Sequence, residues 1–133
     1  MPAVTVLTNA GEIAMLTDAL SDALTLRLFK NDYTPVAASV AGDFTEADFG
    51  GYAEKPLAAN DWSAPATNAE GKAESEQPEQ SWTNTSAVPQ TVYGVYVVDG
   101  DGNVRWAERF ASPQSIEQNS EIHFTPKFRL FSA

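Results

Sequence analysis

The stretch VYVVDGDGNVRWAERF, from Val95 to Phe110, decides the fold class of this chain. Two runs rich in β-branched and aromatic residues flank a connector made of Asp, Gly and Asn. Such runs are typical of β-strands, and Asp-Gly is among the strongest hairpin signals because both residues tolerate positive φ. The stretch therefore predicts an antiparallel β-hairpin.

The same connector also has the beginning of a calcium loop. Asp99, Asp101 and Asn103 stand at alternate positions, as the first ligands of an EF-hand loop do. That loop further requires Gly at its sixth position and a bidentate Glu at its twelfth, where this chain has Val104 and Phe110. A hairpin turn is the favoured interpretation, and a weak calcium site at the three polar residues is the alternative.

Two strand registers are compatible with the hairpin. A five-residue connector pairs Val98 with Val104 and Tyr96 with Trp106, whereas a two-residue turn pairs Val97 with Trp106. The choice matters because a slip of one residue exchanges the two faces of a strand. The sequence leaves both registers open.

The first hairpin strand, about residues 91–98, is apolar on both faces. Alternation along the strand places Val92, Tyr96 and Val98 on one face and Tyr93, Val95 and Val97 on the other. Burial on two faces requires two coverings. The core of the domain provides one, and either a neighbouring subunit or the chain's own helix or long loop provides the other. We predict Tyr93, Val95 and Val97, with part of the N-terminal segment, as a contact surface for a partner subunit.

The N-terminal part predicts one helix followed by a strand. Asn9 is the expected helix cap, Glu12 follows three residues later, and apolar residues then recur at helical spacing, which predicts a short amphipathic helix over about 10–20. After it, Leu24, Leu26 and Leu28 alternate with polar residues and predict a strand with three leucines on one face. A short strand is predicted over about 52–57, where Pro56 favours a sheet edge.

The segment EIHFTPKFRLF, residues 121–131, predicts the last strand. Its apolar face carries Ile122, Phe124, Phe128 and Leu130. Pro126 lacks an N–H, so the strand is at an edge or bulged there. By contrast, residues 63–80 contain no large apolar residue, and a connection of this length predicts a functional or mobile loop.

These elements predict a mainly β chain. Several short strands, one short N-terminal helix and long connections favour an antiparallel β-sandwich or jelly-roll-like fold over a βαβ fold. We expect a single β-sandwich domain over residues 1–133, with an N-terminal segment and helix at 1–22 and a long polar loop at 63–80.

Composition excludes several classes of function. Eighteen acidic and eight basic residues give a formal charge of −10, so direct binding to nucleic acid is not expected. The chain has no cysteine, which excludes disulfides and cysteine nucleophiles. Neither a signal peptide nor an apolar run long enough to span a membrane is visible, so no membrane contact is expected.

Residues that could support catalysis are few. His123 is the only histidine, and we expect a half-exposed strand residue rather than a member of a triad. Glu108 is the one carboxylate within an otherwise apolar strand, and we expect it to pair with Arg105 or Arg109 or to face solvent. No serine lies in a Gly-x-Ser-x-Gly turn, and no phosphate-binding Gly motif is present. We predict no catalytic residue and no cofactor.

Trp82 lies between two polar stretches and has two possible roles. An exposed indole ring there would stack on carbohydrate, whereas core packing or a subunit contact is the commoner fate of tryptophan. We favour the second role and include Trp82 among the candidates for an interface with a partner subunit.

The order of short motifs along the chain carries a family resemblance. The motifs are NAGEIAML, LTLRLFKNDYTP, FTEADFGGY, a single W, TVYGVYVVD, WAERF and FTPKF. This series resembles small structural proteins of tailed bacteriophages and cyanophages, most of all capsid decoration (cement) proteins. The resemblance covers nearly the whole chain and is weakest from Pro65 to Gln80.

That resemblance implies a non-enzymatic virion protein. It implies a homotrimer, made in the host cytoplasm, that binds the outer surface of the phage capsid and braces neighbouring subunits of the major capsid protein. Two other roles stay open: a tail or fibre-tip module that binds a receptor or carbohydrate, and an enzyme acting on cell-wall sugars through Glu108 and His123.

Overall fold

A computed structural model describes residues 3–130. The predicted mainly β architecture with one N-terminal α-helix is confirmed. The elements are α1 Asn9–Ala19, β1 Leu24–Phe29, β2 Lys55–Leu57, β3 Ala66–Thr67, β4 Ala73–Glu76, β5 Gln80–Thr83, β6 Gln90–Asp99, β7 Val104–Ile116, β8 Glu121–Phe124 and β9 Lys127–Leu130. Two 3₁₀ turns, Ala41–Asp43 and Ala59–Asp61, lie in the connections that precede and follow β2.

The strands form three antiparallel sheets. The largest has the order β2-β1-β6-β7, and two smaller ones have the orders β3-β4-β9 and β5-β8. The main core lies between the large sheet on one side and α1 with the two small sheets on the other, since it joins residues of β1 and β6 to Leu16, Ala73, Trp82 and Ile122. The layers are therefore sandwich-like, and the narrower jelly-roll topology stays a prediction.

Helix α1 begins one residue earlier than predicted. Thr8 is the N-cap, because its backbone is extended and its Oγ1 accepts a hydrogen bond from Gly11 N at 3.1 Å. The prediction of Asn9 as the cap is therefore wrong. Glu12 does not close a capping box either: it is 2 % exposed, and its carboxylate accepts a hydrogen bond from Ala73 N at 3.3 Å.

Strands β1 and β2 follow the sequence pattern. Leu24, Leu26 and Leu28 are all buried on one face, as their alternation predicts. Pro56 lies in β2, the outer strand of the large sheet, where it pairs with Thr25. An edge position needs no ladder hydrogen bond from the missing N–H, so the predicted edge location is confirmed.

The two faces of β6 do not follow the simple alternation of the sequence. Val92, Val95 and Val97 all lie in the main core, whereas Tyr96 belongs to a second cluster on the other face. The alternation breaks where the pairing with β7 shifts register, between Val92 and Gly94. A bulge of this kind lets one strand contribute valines from both parities to the same face.

The predicted contact surface on β6 is therefore wrong. Val95 and Val97 have no exposed surface and pack inside the main core. Tyr93 lies on the opposite face, where it is half-buried against the second cluster. Its ring is 5.4 Å from the guanidinium carbon of Arg109.

The second face of β6 is covered by the connection between β1 and β2. Phe44 of this connection stacks on Tyr96 with ring centroids 4.5 Å apart and an 8° angle between the planes. Phe29 and Tyr33 pack edge-on against Phe44 at 5.1 and 5.2 Å. The covering thus comes from the chain itself, through a segment that the sequence did not point to, and neither the helix nor the 63–80 segment provides it.

The predicted long polar loop at 63–80 is wrong, because the segment forms β3, β4 and the start of β5. Asn68 closes the turn between β3 and β4: its Oδ1 accepts hydrogen bonds from Glu70 N and Lys72 N. Ala73 and Ser75 are buried although neither is large and apolar. Small side chains let the strand lie close to α1, which explains why a hydrophobicity pattern missed it.

The predicted last strand is divided by Pro126. β8 pairs with β5, whereas β9 pairs with β4 in a different sheet. Pro126 itself is buried, and its carbonyl accepts a hydrogen bond from Gln77 N at 2.9 Å. The predicted apolar face is confirmed, since Ile122 is buried and Phe124 half-buried while their neighbours are exposed. Phe131, at the end of the predicted strand, lies outside the described residues.

Gly94 has no room for a side chain, and Gly94→Ala is expected to destabilise the fold. A Cβ at this position would lie 2.1 Å from the carbonyl oxygen of Glu108 and 2.7 Å from the ring of Phe29. We expect a loss of at least about 1–3 kcal/mol in the free energy of unfolding, measured by denaturant titration.

The matched control is Gly100→Ala, because a Cβ at Gly100 would meet nothing within 4 Å. Equal stabilities of the two variants would contradict the close approach of β6, β7 and Phe29 at Gly94.

Candidate functional site

The connector between β6 and β7 is a hairpin turn, as predicted. Asp99 N donates a hydrogen bond to Asn103 O at 2.9 Å, and Gly102, with φ of 84°, donates one to Asp99 O at 3.1 Å. The Oδ1 atom of Asp99 accepts hydrogen bonds from the backbone N–H groups of Asp101 and Asn103, both at 2.9 Å. Asp99 therefore organises the turn through its own side chain.

The strand register combines the two predicted alternatives. Val98 pairs with Val104, as a five-residue connector requires, and Val97 pairs with Trp106, as a two-residue turn requires. The register shift between these pairs leaves Arg105 as an extra residue in β7. With this register Trp106 packs against the main core, whereas Ala107 packs against the second cluster.

Arg105 ties the hairpin to the end of the helical segment. Its Nε donates to Asp99 Oδ2 at 2.8 Å, and its Nη2 donates to Asp22 Oδ2 at 2.7 Å. The Arg105 hydrogen bond, followed by the backbone N–H of Asn103, holds the pKa of the Asp99 carboxyl below its usual value of 3.8. Both oxygens of Asp99 are occupied by protein donors, which disfavours the calcium alternative.

A groove lies between β7 and the pair β8–β9, and we call it the edge groove. It has two adjoining sections of about 720 and 630 Å³, which share Glu108 and Phe124. β7 is the last strand of the large sheet, so its outer edge pairs with no other strand among residues 3–130. The groove therefore combines a concave surface with an unpaired strand edge.

Aromatic side chains form the floor of the edge groove. The ring centroids of Trp106 and Phe128 are 4.2 Å apart, and those of Phe110 and Phe124 are 6.1 Å apart. All four residues are half-buried and pack against the main core. They present a firm apolar surface whose outer side is open to solvent.

Trp62 extends this aromatic surface. Its ring lies 6.0 Å from that of Trp106, and its indole Nε1 is buried with no hydrogen-bond partner among the described residues. An unpaired buried donor is uncommon in a folded domain.

The charges around the larger section of the groove cancel. Glu76 and Glu108 are its two acids, and Lys127 and Arg129 are its two bases. The chain as a whole carries −10, so this neutral apolar surface differs from most of the molecule. A phosphate-rich ligand finds no excess of positive charge here, whereas an uncharged one meets no repulsion.

The two basic residues are held by Glu74 of β4. Arg129 Nε lies 2.6 Å from a Glu74 oxygen, and Lys127 Nζ lies 3.6 Å from the other. Hydrogen bonds from Asn68 and Arg129 hold the pKa of the Glu74 carboxyl below its usual value of 4.5. The cations are thus already paired at the rim of the groove.

The two candidate catalytic residues lie in or beside the groove, with different surroundings. Glu108 is exposed between Trp106 and Phe110, and the predicted partners are engaged elsewhere: Arg105 with the turn and Arg109 with Asp32 at 2.7 Å. The prediction that Glu108 faces solvent is confirmed, and the alternative of an ion pair with Arg105 or Arg109 is not.

His123 is a half-exposed strand residue, as predicted. Its Nδ1 lies 3.2 Å from Glu79 and its Nε2 lies 3.0 Å from Glu121, so both ring nitrogens face carboxylates. No nucleophile is paired with it among the described hydrogen bonds. The arrangement is that of a polar cluster at the surface, which contributes little to stability.

Trp82 is a core residue and not a surface residue. It is 2 % exposed, its Nε1 donates to Ala53 O at 2.7 Å, and its ring stacks on Tyr52 at 6.5 Å. The prediction of Trp82 as an interface candidate is therefore wrong. The aromatic residues that are available to a partner are those of the edge groove.

Sequence reasoning missed the edge groove as a site. The apolar face of the 122–130 segment was visible, but nothing in the local pattern indicated that it faces the 104–110 strand across an open edge. Such placement depends on which sheet each short strand joins, and strand pairing between distant segments is not encoded in local periodicity.

Comparison of the chain with protein-family models, with curated proteins and with solved structures finds no significant match. Within residues 3–130, no helix is both long and apolar enough to cross a membrane. The same residues contain no group of three or more His, Asp or Glu side chains placed to hold a metal ion.

Asp99→Asn is expected to lower the melting temperature at neutral pH. Because the pKa of folded Asp99 lies below 3.8, its carboxylate stabilises the fold in full above that ordinary value and loses this effect as the pH falls through the folded pKa. Thermal melts of the variant and the parent should therefore differ at neutral pH and converge in acid.

Asp101→Asn is the matched control, since its side chain makes no hydrogen bond in the turn, and it should melt like the parent at both pH values. A melting temperature that falls by several degrees on addition of a chelator would contradict the turn interpretation and restore the calcium one.

Proposed function

We propose that this protein is a non-enzymatic structural protein of a phage virion, which decorates the outer surface of the capsid and stabilises contacts between major capsid subunits. The observation that carries the proposal is the edge groove, because an aromatic floor beside an unpaired strand edge suits a polypeptide partner. The motif order that resembles phage decoration proteins supports the same function. The net charge of −10 agrees with a position away from the packaged nucleic acid.

The unpaired edge of β7 supplies backbone groups for a protein partner. Residues 106–110 of this strand line the edge groove. The large bulge that follows contains Pro113, which has no N–H group. An extended segment added to such an edge gains main-chain hydrogen bonds, and alternate side chains enter the groove. The aromatic floor at Trp106, Phe124 and Phe128 then supplies the apolar contact.

Decoration stabilises a shell without chemistry. A protein that binds the assembled shell but not free subunits shifts the equilibrium towards the assembled state by mass action. A homotrimer extends this effect because several binding sites act together. The proposed partners are accordingly copies of the same chain and the major capsid protein, with no role for a cofactor, a membrane or direct contact with nucleic acid.

Binding to capsids tests the proposal directly. Full-length protein mixed with phage capsids that lack it should sediment with them and raise their temperature of disruption, since bound protein favours the assembled shell. An acidic protein of similar size and charge serves as the control for non-specific binding.

Gold-labelled antibody against the protein should mark the heads of intact virions. Label confined to the tail would overturn the decoration role, and virions without label would overturn a virion location altogether.

A carbohydrate-binding module of a phage tail or fibre tip is the second candidate. The observation that favours it is the pair Trp106 and Phe128, whose half-buried rings lie 4.2 Å apart beside four charged side chains. Sugar rings stack on aromatic faces of this kind while their hydroxyls bond to polar groups at the rim. Trp106 is therefore the candidate for stacking on a sugar ring, since Trp82 is buried in the core.

The carbohydrate role predicts a change of tryptophan fluorescence on titration with bacterial surface oligosaccharides. Replacing Trp106 by Ala should weaken that binding about tenfold, which corresponds to a loss of ~1.4 kcal/mol. Tyr93→Phe is the control, because Tyr93 is half-buried outside the groove. Saturable binding that depends on Trp106 favours this role, and its absence favours the decoration role.

A further inference from the structure

The N-terminal arm, residues 3–7, is an exposed apolar segment. Val4 is 85 % exposed, Val6 is 73 % exposed and Leu7 is 39 % exposed. The arm forms no hydrogen bond with any other described residue, and it belongs to no sheet of the described chain. Its sequence AVTVL is rich in β-branched residues, which favour extended strands.

The arm also matches the charge of the edge groove. No charged side chain occurs from residue 3 to residue 11. The larger section of the groove is formally neutral, because Glu76 and Glu108 balance Lys127 and Arg129. Two copies that each carry −10 repel one another over most of their surfaces. An uncharged arm on a neutral groove is a contact that avoids this repulsion.

The lengths of the two partners agree. Five residues of extended chain span ~16 Å at a rise of ~3.3 Å per residue, and the five residues of β7 that line the groove before the bulge, 106–110, span the same length. The arm therefore fits beside the free edge of β7 before the bulge that follows Phe110. In an extended arm, Val4 and Val6 lie on the same face because they are two residues apart, so both side chains can enter one groove.

We propose that the arm of a second copy of this chain adds as a strand to the edge of β7 and places Val4 and Val6 on the aromatic floor of the edge groove. The chain's own arm is exposed, so it leaves its own groove open. Each copy thus gives one arm and receives one, a head-to-tail contact that closes into a ring when the rotation permits. The inference rests on the proposed function, because both require the groove to bind a polypeptide. What it adds is the identity of that polypeptide, the arm of a second copy.

The first test measures self-association of the full chain. Sedimentation of the parent protein should show oligomers that dissociate on dilution. In the double variant Val4→Ser/Val6→Ser, the association constant should fall about tenfold or more, because the hydrophobic gain from burying the two valine side chains is lost. Both positions are exposed, so the variant should melt at the temperature of the parent when both are diluted until they are monomeric.

Val88→Ser is the matched control, since Val88 is 69 % exposed and lies away from both arm and groove. Its association should equal that of the parent. A parent protein that stays monomeric at every concentration, or an arm variant that associates as the parent does, would overturn the proposal.

The second test locates the contact, and the absence of native cysteine makes it specific. Thr5→Cys protein mixed with Ser112→Cys protein should form a mixed dimer with a short bis-maleimide, because Thr5 lies in the arm and Ser112 beside the groove. Ala87→Cys is the control partner and should give much less product. Equal yields from both pairs would overturn the assigned site.

A single chain that carries both Thr5→Cys and Ser112→Cys distinguishes exchange from self-docking. A cross-link within the monomer at high dilution would show that the arm fills its own groove and would overturn exchange between copies. Both tests use purified protein without capsids. A failure here therefore leaves the capsid-binding result unaffected, and a failure to bind capsids leaves arm exchange intact.

Discussion

Strand β6 buries apolar side chains on both faces, and the chain therefore has to cover each face. α1 and the two small sheets cover one, and the connection between β1 and β2 covers the other through the stack of Phe44 on Tyr96. β1 supports both coverings, since Leu28 enters the main core and Phe29 enters the second cluster. Most large apolar residues of the described chain lie in or against one of these two clusters. Among the large apolar residues that stay exposed, three belong to the arm (Val4, Val6 and Leu7), and the others are Met15, Val36, Val40 and Val88.

Features encoded in neighbouring residues were predictable. The hairpin follows from turn chemistry around Asp99, and the face of β1 follows from alternating leucines. The strand register was not predictable, because bulges at Arg105 and near Gly94 change the pairing. The strand around Ala73 was missed because it is buried by small side chains, which carry no hydrophobic signal. The edge groove was missed because it exists only where strands of different sheets come to face each other.

Two of the short motifs along the chain hold the fold together. Phe44 and Phe49 of FTEADFGGY are buried, Tyr52 donates its hydroxyl hydrogen to Glu46 at 2.7 Å, and Tyr96 lies within TVYGVYVVD. Such residues specify a sandwich and say little about its partner. The surface that can distinguish one partner from another consists of the groove, with its balanced charges, and the exposed arm.

The arm leads directly into α1, whose Leu16 is fully buried in the main core. The helix also contacts both β4 and β9, and β9 contributes Phe128 to the edge groove. The helix that follows the arm thus braces β9, the strand that carries Phe128 of the groove floor. If arms are exchanged as proposed, tension between copies would pass from the arm through α1 and β9 to Phe128 and to the neighbour's arm that packs on it. This path crosses rigid elements alone, so a linked ring would resist stretching rather than unravel.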